Sequence, residues 1–189
     1  MSRSTPDSEV LFIGGRSGVG KSTTALELHA LLTRLDIRHA VIEGDTLDLA
    51  YPAPWKEPSP WPQGLAAVNL AAIWGNYRTL GYRRLIYTNT VAVRETAELA
   101  AAMGEDPRVH AVLLRASDAG ANLRLGTREA GSTLQEHIAR SRNAAIALDR
   151  DTPAWVHRID TDNLSAADVA RRILDLTGWA SPVPAPATG

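Results

Sequence analysis

The chain contains no cysteine, which excludes disulfides, thiolate metal sites and thiol nucleophiles. Lysine is nearly absent: of the 20 Lys and Arg residues only Lys21 and Lys56 are lysine, so a lysine inside a motif stands out against an arginine background. No apolar run approaches the roughly 18 residues that a membrane-spanning helix needs. Met1 to Glu9 lacks the basic and apolar regions of a signal peptide. An excess of one charge is missing too: the net charge is -1, leaving no overall field to attract nucleic acid or an anionic membrane. The five histidines show no metal-ligand spacing. These absences lead to the expectation of a cytoplasmic protein with neither membrane nor nucleic-acid partners. They leave monomer and homodimer equally open.

The chain has 189 residues, of which 44% are hydrophobic and 22% charged, which suits one globular α/β domain able to bury roughly 70% of its unfolded surface. The expected domain covers residues 9–179, with flexible termini at 1–8 and 180–189 that are too poor in apolar groups to offset ordering entropy. Between them, short apolar runs alternate with segments of helical periodicity. Strands are expected at Val10–Ile13, His39–Ile42, Arg84–Tyr87, Val109–Leu114 and Ala154–Ile159. Helices are expected at Ser22–Leu35, Leu65–Leu80, Arg94–Met103, Gly131–Leu148 and Ser165–Leu176, the last with Ser165 as N-cap. Strands and helices in this alternation imply a five-stranded parallel sheet covered on both faces, a three-layer α/β/α sandwich. Ligands of such sheets bind at the carboxyl ends of the strands, where Gly14, Asp45 and Asn89 fall.

Gly15-Arg16-Ser17-Gly18-Val19-Gly20-Lys21-Ser22 matches G-x-x-x-x-G-K-[ST] at every position. Glycines let the backbone turn tightly and aim successive N–H groups at an anion, and the following helix adds its positive end. The segment Gly15 to Thr23 is therefore expected to hold the phosphates of ATP or GTP. Lys21 would reach the β- and γ-phosphates, and the Ser22 hydroxyl would bind Mg²⁺. The motif lies between an expected strand and an expected helix, the context its chemistry requires.

Three segments together resemble the P-loop small-molecule kinases, namely gluconate kinase, adenylylsulfate kinase and chloramphenicol phosphotransferase. They are the phosphate loop, Val41-Ile42-Glu43-Gly44-Asp45 (similar to the second-strand "DGD" of these kinases) and Arg124 to Ser141 (similar to their lid and the helix after it). The resemblance implies a nucleotide-monophosphate-kinase-like fold with strand order 2-3-1-4-5 and a lid around residues 117–131. It implies ATP with Mg²⁺ and transfer of phosphate to a hydroxyl of a small molecule. Asp45 matches the acid that approaches that hydroxyl, a role a carboxylate can fill by orienting it and taking its proton; the other reading is that Asp45 caps the next turn. Arg124 and Arg128, four residues apart, would share one face of a helical lid and neutralise charge on the transferred group, or else be two solvated arginines among eighteen.

The third strand departs from the wider P-loop pattern. Thr88-Asn89-Thr90 ends it without the aspartate with which motor ATPases and switch GTPases hold Mg²⁺. No N-K-x-D-like segment reads guanine, which favours ATP. For the acceptor, the candidates are Trp55 and Trp61 in the proline-rich segment Tyr51–Gly64, Asn69 on the next helix, and Thr88 and Asn89 at the strand end; the tryptophans serve equally as cover for the core. Two other readings stay open: a nucleoside or nucleotide kinase, and a nucleotide-binding regulatory or resistance protein with little transfer activity.

Overall fold

The computed structural model describes residues 7–58, 60, 61, 63–126 and 134–180. Five strands form one parallel sheet: β1 (Glu9–Gly14), β2 (Ala40–Glu43), β3 (Arg84–Thr88), β4 (Arg108–Arg115) and β5 (His157–Asp160). Six helices connect and cover it: α1 (Lys21–Arg34), α2 (Leu65–Thr79), α3 (Thr96–Met103), α4 (Asp118–Gly126), α5 (Leu134–Asp151) and α6 (Ala166–Thr177). The strand order is β2-β3-β1-β4-β5, the order implied by the kinase resemblance.

The central strand shows why the sandwich has two cores. Side chains alternate across a strand, so Val10 and Phe12 face one layer with Leu70 and Trp74 of α2 and Leu99 of α3. Leu11 and Ile13 face the other, with Leu28 and Leu32 of α1 and Val169 and Ile173 of α6. All four β1 side chains are fully buried, the continuous apolar run of a parallel strand covered on both faces. Ser165 caps α6 as expected, its hydroxyl accepting from the Asp168 amide while the Asp168 carboxylate accepts from the Ser165 amide.

Several boundaries differ from expectation. α3 begins at Thr96, two residues after Arg94, because the preceding chain closes a turn in which Arg94 N–H donates to the Val91 carbonyl. α5 continues to Asp151, and a turn from Pro153 to Val156 delays β5 until His157. α4 occupies most of the described part of the segment around 117–131, where a helix is expected only in the spacing of Arg124 and Arg128. Ser117 starts it by accepting from the Gly120 amide, while the Ser117 amide donates to Asp162. Of the expected flexible termini, residues 7 and 8 join the fold: Ser8 is buried and its carbonyl accepts from Arg108, while Asp7 pairs with Arg78 and Arg83. Residues 1–6 and 181–189 lie outside the described residues, as does the lid segment 127–133. Among the described residues no helix is long and apolar enough to cross a membrane.

Leu28 locks α1, and with it the end of the phosphate loop, onto the sheet. Leu28→Ala is expected to cost about 2–5 kcal/mol through the cavity it leaves, read as a lower urea midpoint at unchanged slope.

Candidate active site

The segment Gly15–Gly20 bridges β1 and α1 at the carboxyl edge of the sheet. Its glycines are conformational requirements. Gly18 has φ +81, and a Cβ there would lie 2.5 Å from the Ala121 carbonyl of α4. Gly20 is the N-cap of α1 at φ +103, supplies no capping side chain, and a Cβ on it would project into open space. The first-turn amides of α1 thus face outward without a side-chain acceptor, the arrangement that receives an anion. The Lys21 ammonium, 8% exposed, donates to the Gly15 carbonyl at 2.8 Å and the Arg16 carbonyl at 3.4 Å and reaches the Thr90 hydroxyl at 3.5 Å.

Asp45 is exposed just after β2 and accepts from the Thr90 amide at 3.2 Å. Thr90 is therefore the meeting point of the loop lysine and the second-strand acid. Ser22 and Thr23 lie in the first turn of α1. Among the described residues no three His, Asp or Glu side chains gather as a metal cage, so a Mg²⁺ held by Ser22 would complete its shell with phosphate oxygens and water, as that ion commonly does.

Arg16 is 3% exposed and ties the loop to α4 and α5. Its Nε donates to the Ser141 hydroxyl of α5 at 2.9 Å, Ser141 donates to the Ser17 carbonyl at 2.9 Å, and its Nη1 pairs with Asp118 at the start of α4. The Arg16 guanidinium holds the Asp118 carboxyl below its ordinary range, aided by Arg142. Arg124 of α4 also reaches the loop. Its guanidinium donates to the Thr161 hydroxyl and carbonyl at 3.1 and 3.0 Å and approaches the Val19 carbonyl at 3.4 Å. There it lines a cavity of about 230 Å³ with Gly20, Thr23, Leu164 and Val169. Arg128 and the Trp55 side chain lie outside the described residues.

The remaining acceptor candidates are engaged within the fold. Thr88 is buried and its hydroxyl donates to Glu43 at 2.6 Å. The Asn89 side-chain oxygen accepts from the Val91 amide and shapes the turn after β3. Asn69 donates to the Leu47 carbonyl, fastening the loop after Asp45 to α2. Trp61 lines a groove between α2 and α3. Arg115, at the end of β4, binds Asp160 through two hydrogen bonds at 2.9 and 3.0 Å.

Residues of α5 that were not among the site candidates also reach the cleft. His137, Arg140, Ser141 and Ala144 of α5 line a cavity of about 320 Å³ with Ser17 and Thr90. Their spacing of three, four and seven is one helical face, a signal that was present but indistinguishable from ordinary amphipathicity.

Neither a protein-family model nor a curated protein matches the sequence. Solved structures do. The tunicamycin resistance protein of Deinococcus radiodurans is 21% identical with a TM-score of 0.59, covering 90% of this chain and 96% of its own. The adenylylsulfate (APS) kinase of Mycobacterium tuberculosis, solved with AMPPNP and APS, is 18% identical with a TM-score of 0.57 over 92% of this chain and 99% of its own. The fold is that of the P-loop small-molecule kinases. A gluconokinase from Sinorhizobium meliloti shares this fold at 16% identity and a TM-score of 0.56, covering 95% of this chain and all of its own.

Two outcomes follow for this kinase fold. Gly18→Ala forces a β-carbon against the Ala121 carbonyl at a positive φ, and is expected to destabilise the protein by about 1–3 kcal/mol, read as a lower urea midpoint. Asp118 has a depressed folded pKa, so its stabilisation is complete above the ordinary value of 3.8 and is lost as pH falls through the lower folded value. The stability difference between wild type and Asp118→Asn, measured by denaturation, should be constant near neutral pH and shrink in acid.

Proposed function

We propose that this chain is an ATP-dependent phosphotransferase that moves the γ-phosphoryl group to a hydroxyl of a small molecule. The observation that carries the reading is the convergence of Lys21 and Asp45 on Thr90: the group that binds a terminal phosphate and the group that can take a hydroxyl proton are held by one residue. The segment Gly15–Thr23 would hold the triphosphate through backbone amides and the Lys21 ammonium. The cavity between Gly20, Thr161 and Arg124 fits the nucleoside end, which assigns Arg124 to the base side rather than to the transferred phosphate. Arg140 and His137, facing the cleft beside Thr90, would balance charge on the moving group together with Lys21. Mg²⁺ at Ser22 would supply charge neutralisation between the phosphates.

Asp45 orients the acceptor hydroxyl and receives its proton. The oxygen–phosphorus bond forms as the bridging bond to ADP breaks, its electron pair leaving on the ADP oxygen. Arg128 keeps its expected lid role as part of the same proposal. The structural neighbours include an APS kinase, a shikimate kinase and a gluconokinase, which supports transfer chemistry without choosing an acceptor.

Asp45→Asn is expected to lower acceptor-dependent ADP release by about 10²–10⁴-fold, the usual range for a general base, while ATP affinity stays within about threefold. Lys21→Ala should abolish ATP binding itself. Nucleotide binding with no acceptor-dependent turnover across sugars, nucleosides and amino alcohols would favour a regulatory role over transfer.

A further inference from the structure

The phosphate-loop motif makes no demand on the residue after its first glycine, yet this chain buries a guanidinium there: Arg16 is 3% exposed. Its Nη2 is buried with no hydrogen-bond partner among the described residues, so the cation is held at a cost to stability. The reason for that placement lies in α5. Among the described residues only two α5 side chains are buried, Ser141 and Leu148, two turns apart on one face. Leu148 joins the apolar core and fixes the C-terminal half of the helix. The half that carries His137 and Arg140 has no buried apolar side chain among the described residues, and Ser141 is its anchor.

The phosphate loop holds that anchor. The Ser141 hydroxyl accepts from Arg16 Nε at 2.9 Å and donates to the Ser17 carbonyl at 2.9 Å. Arg16 grips the same helix a second way, through the Asp118 carboxylate, which also receives Arg142 of α5 at 3.3 Å. Arg140, next to Ser141 in the chain, lines the cavity of about 320 Å³ with Ser17 and Thr90. Among the described residues its guanidinium has no ion-pair partner, whereas Arg16, Arg142 and Arg150 each have a carboxylate. An arginine left unpaired beside a phosphate-binding loop is available to an anion. A helix moves as one piece, so the contact that fixes Ser141 also fixes where Arg140 is presented.

We propose that Arg16 is a positioning residue: it fixes the cleft-facing half of α5 through Ser141 and so presents Arg140 to the terminal phosphate of the bound nucleotide. The inference rests on the phosphotransferase reading for the place of that phosphate, beside Lys21.

The test is a double-mutant cycle read by nucleotide binding to the full-length protein with Mg²⁺. The readout is the ratio of AMPPNP affinity to ADP affinity, which isolates contacts to the terminal phosphate. Arg140→Ala is expected to lower that ratio about tenfold, the loss of one charge-assisted contact. Ser141→Ala should lower it at least about fivefold alone, and less than about twofold further in the Arg140→Ala background, because both changes act on one contact. A general disturbance of the loop would instead weaken ADP and AMPPNP together, or add in full to Arg140→Ala. An unchanged ratio in either single variant, or effects that multiply in the double variant, overturns the inference. Cooperative thermal unfolding serves as the folding control. If Ser141→Ala does not fold, Arg16→Lys, which keeps a cation and removes the Nε donor, replaces it in the cycle with the same expected outcomes. Acceptor-dependent ADP release is followed separately. A coupled cycle in protein that transfers to no sugar, nucleoside or amino alcohol would sustain the positioning role and sink the phosphotransferase reading.

Discussion

A buried ammonium group must be surrounded by acceptors or it shifts towards neutrality. Lys21 meets that constraint with two carbonyls of its own loop and the hydroxyl of Thr90, and the rest of the site is arranged around this solution. The loop must curl back on Lys21, which its glycines at φ +81 and +103 allow. Strand β3 must stop where Thr90 can reach both neighbours. Asp45 then finds the Thr90 amide, so the second-strand acid is held by the same residue that faces the lysine. Parallel register makes this possible: Glu43 pairs with Thr88 and Ile13 with Thr88 along the sheet, placing the three strand ends side by side.

How much of this the sequence reveals depends on the range of the interactions. The phosphate loop is a local device, since spacing, glycine conformation and helix start all lie within eight residues, and it reads directly. The strand pattern reads as well, because a sheet covered on both faces demands unbroken apolar runs such as Val10 to Ile13. The α4 helix does not, because its start depends on Asp162, 45 residues away in sequence, receiving the Ser117 amide. The partners of the polar residues nearest the strand ends likewise appear only in the fold. Thr88 and Asn89 lie at the expected edge, with hydrogen bonds to Glu43 and Val91. Thr90, one residue further, does the joining.

Arg124 shows how tertiary acceptors fix a side chain that spacing alone nominates. The Thr161 carbonyl, just after β5, holds its guanidinium beside the loop. A planar group with five donors goes where acceptors are arranged for it, and Thr161 and Val19 offer three. The cleft-facing cations come instead from α5, a helix whose face towards Ser17 and Thr90 could be assigned only once the fold was known.

Arg16 gives the site its mechanical logic. A guanidinium at this depth is costly unless its donors are met, and the partners of its Nε and Nη1 come from two helices outside the loop, Ser141 of α5 and Asp118 of α4, while among the described residues its buried Nη2 has none. Gly18 lies too close to the Ala121 carbonyl for any side chain, so α4 also rests directly on the loop. Movement of these helices relative to the sheet would strip partners from a buried cation and open the close contact at Gly18. The conformation of the phosphate loop and the position of α4 and α5 are thereby coupled through Arg16.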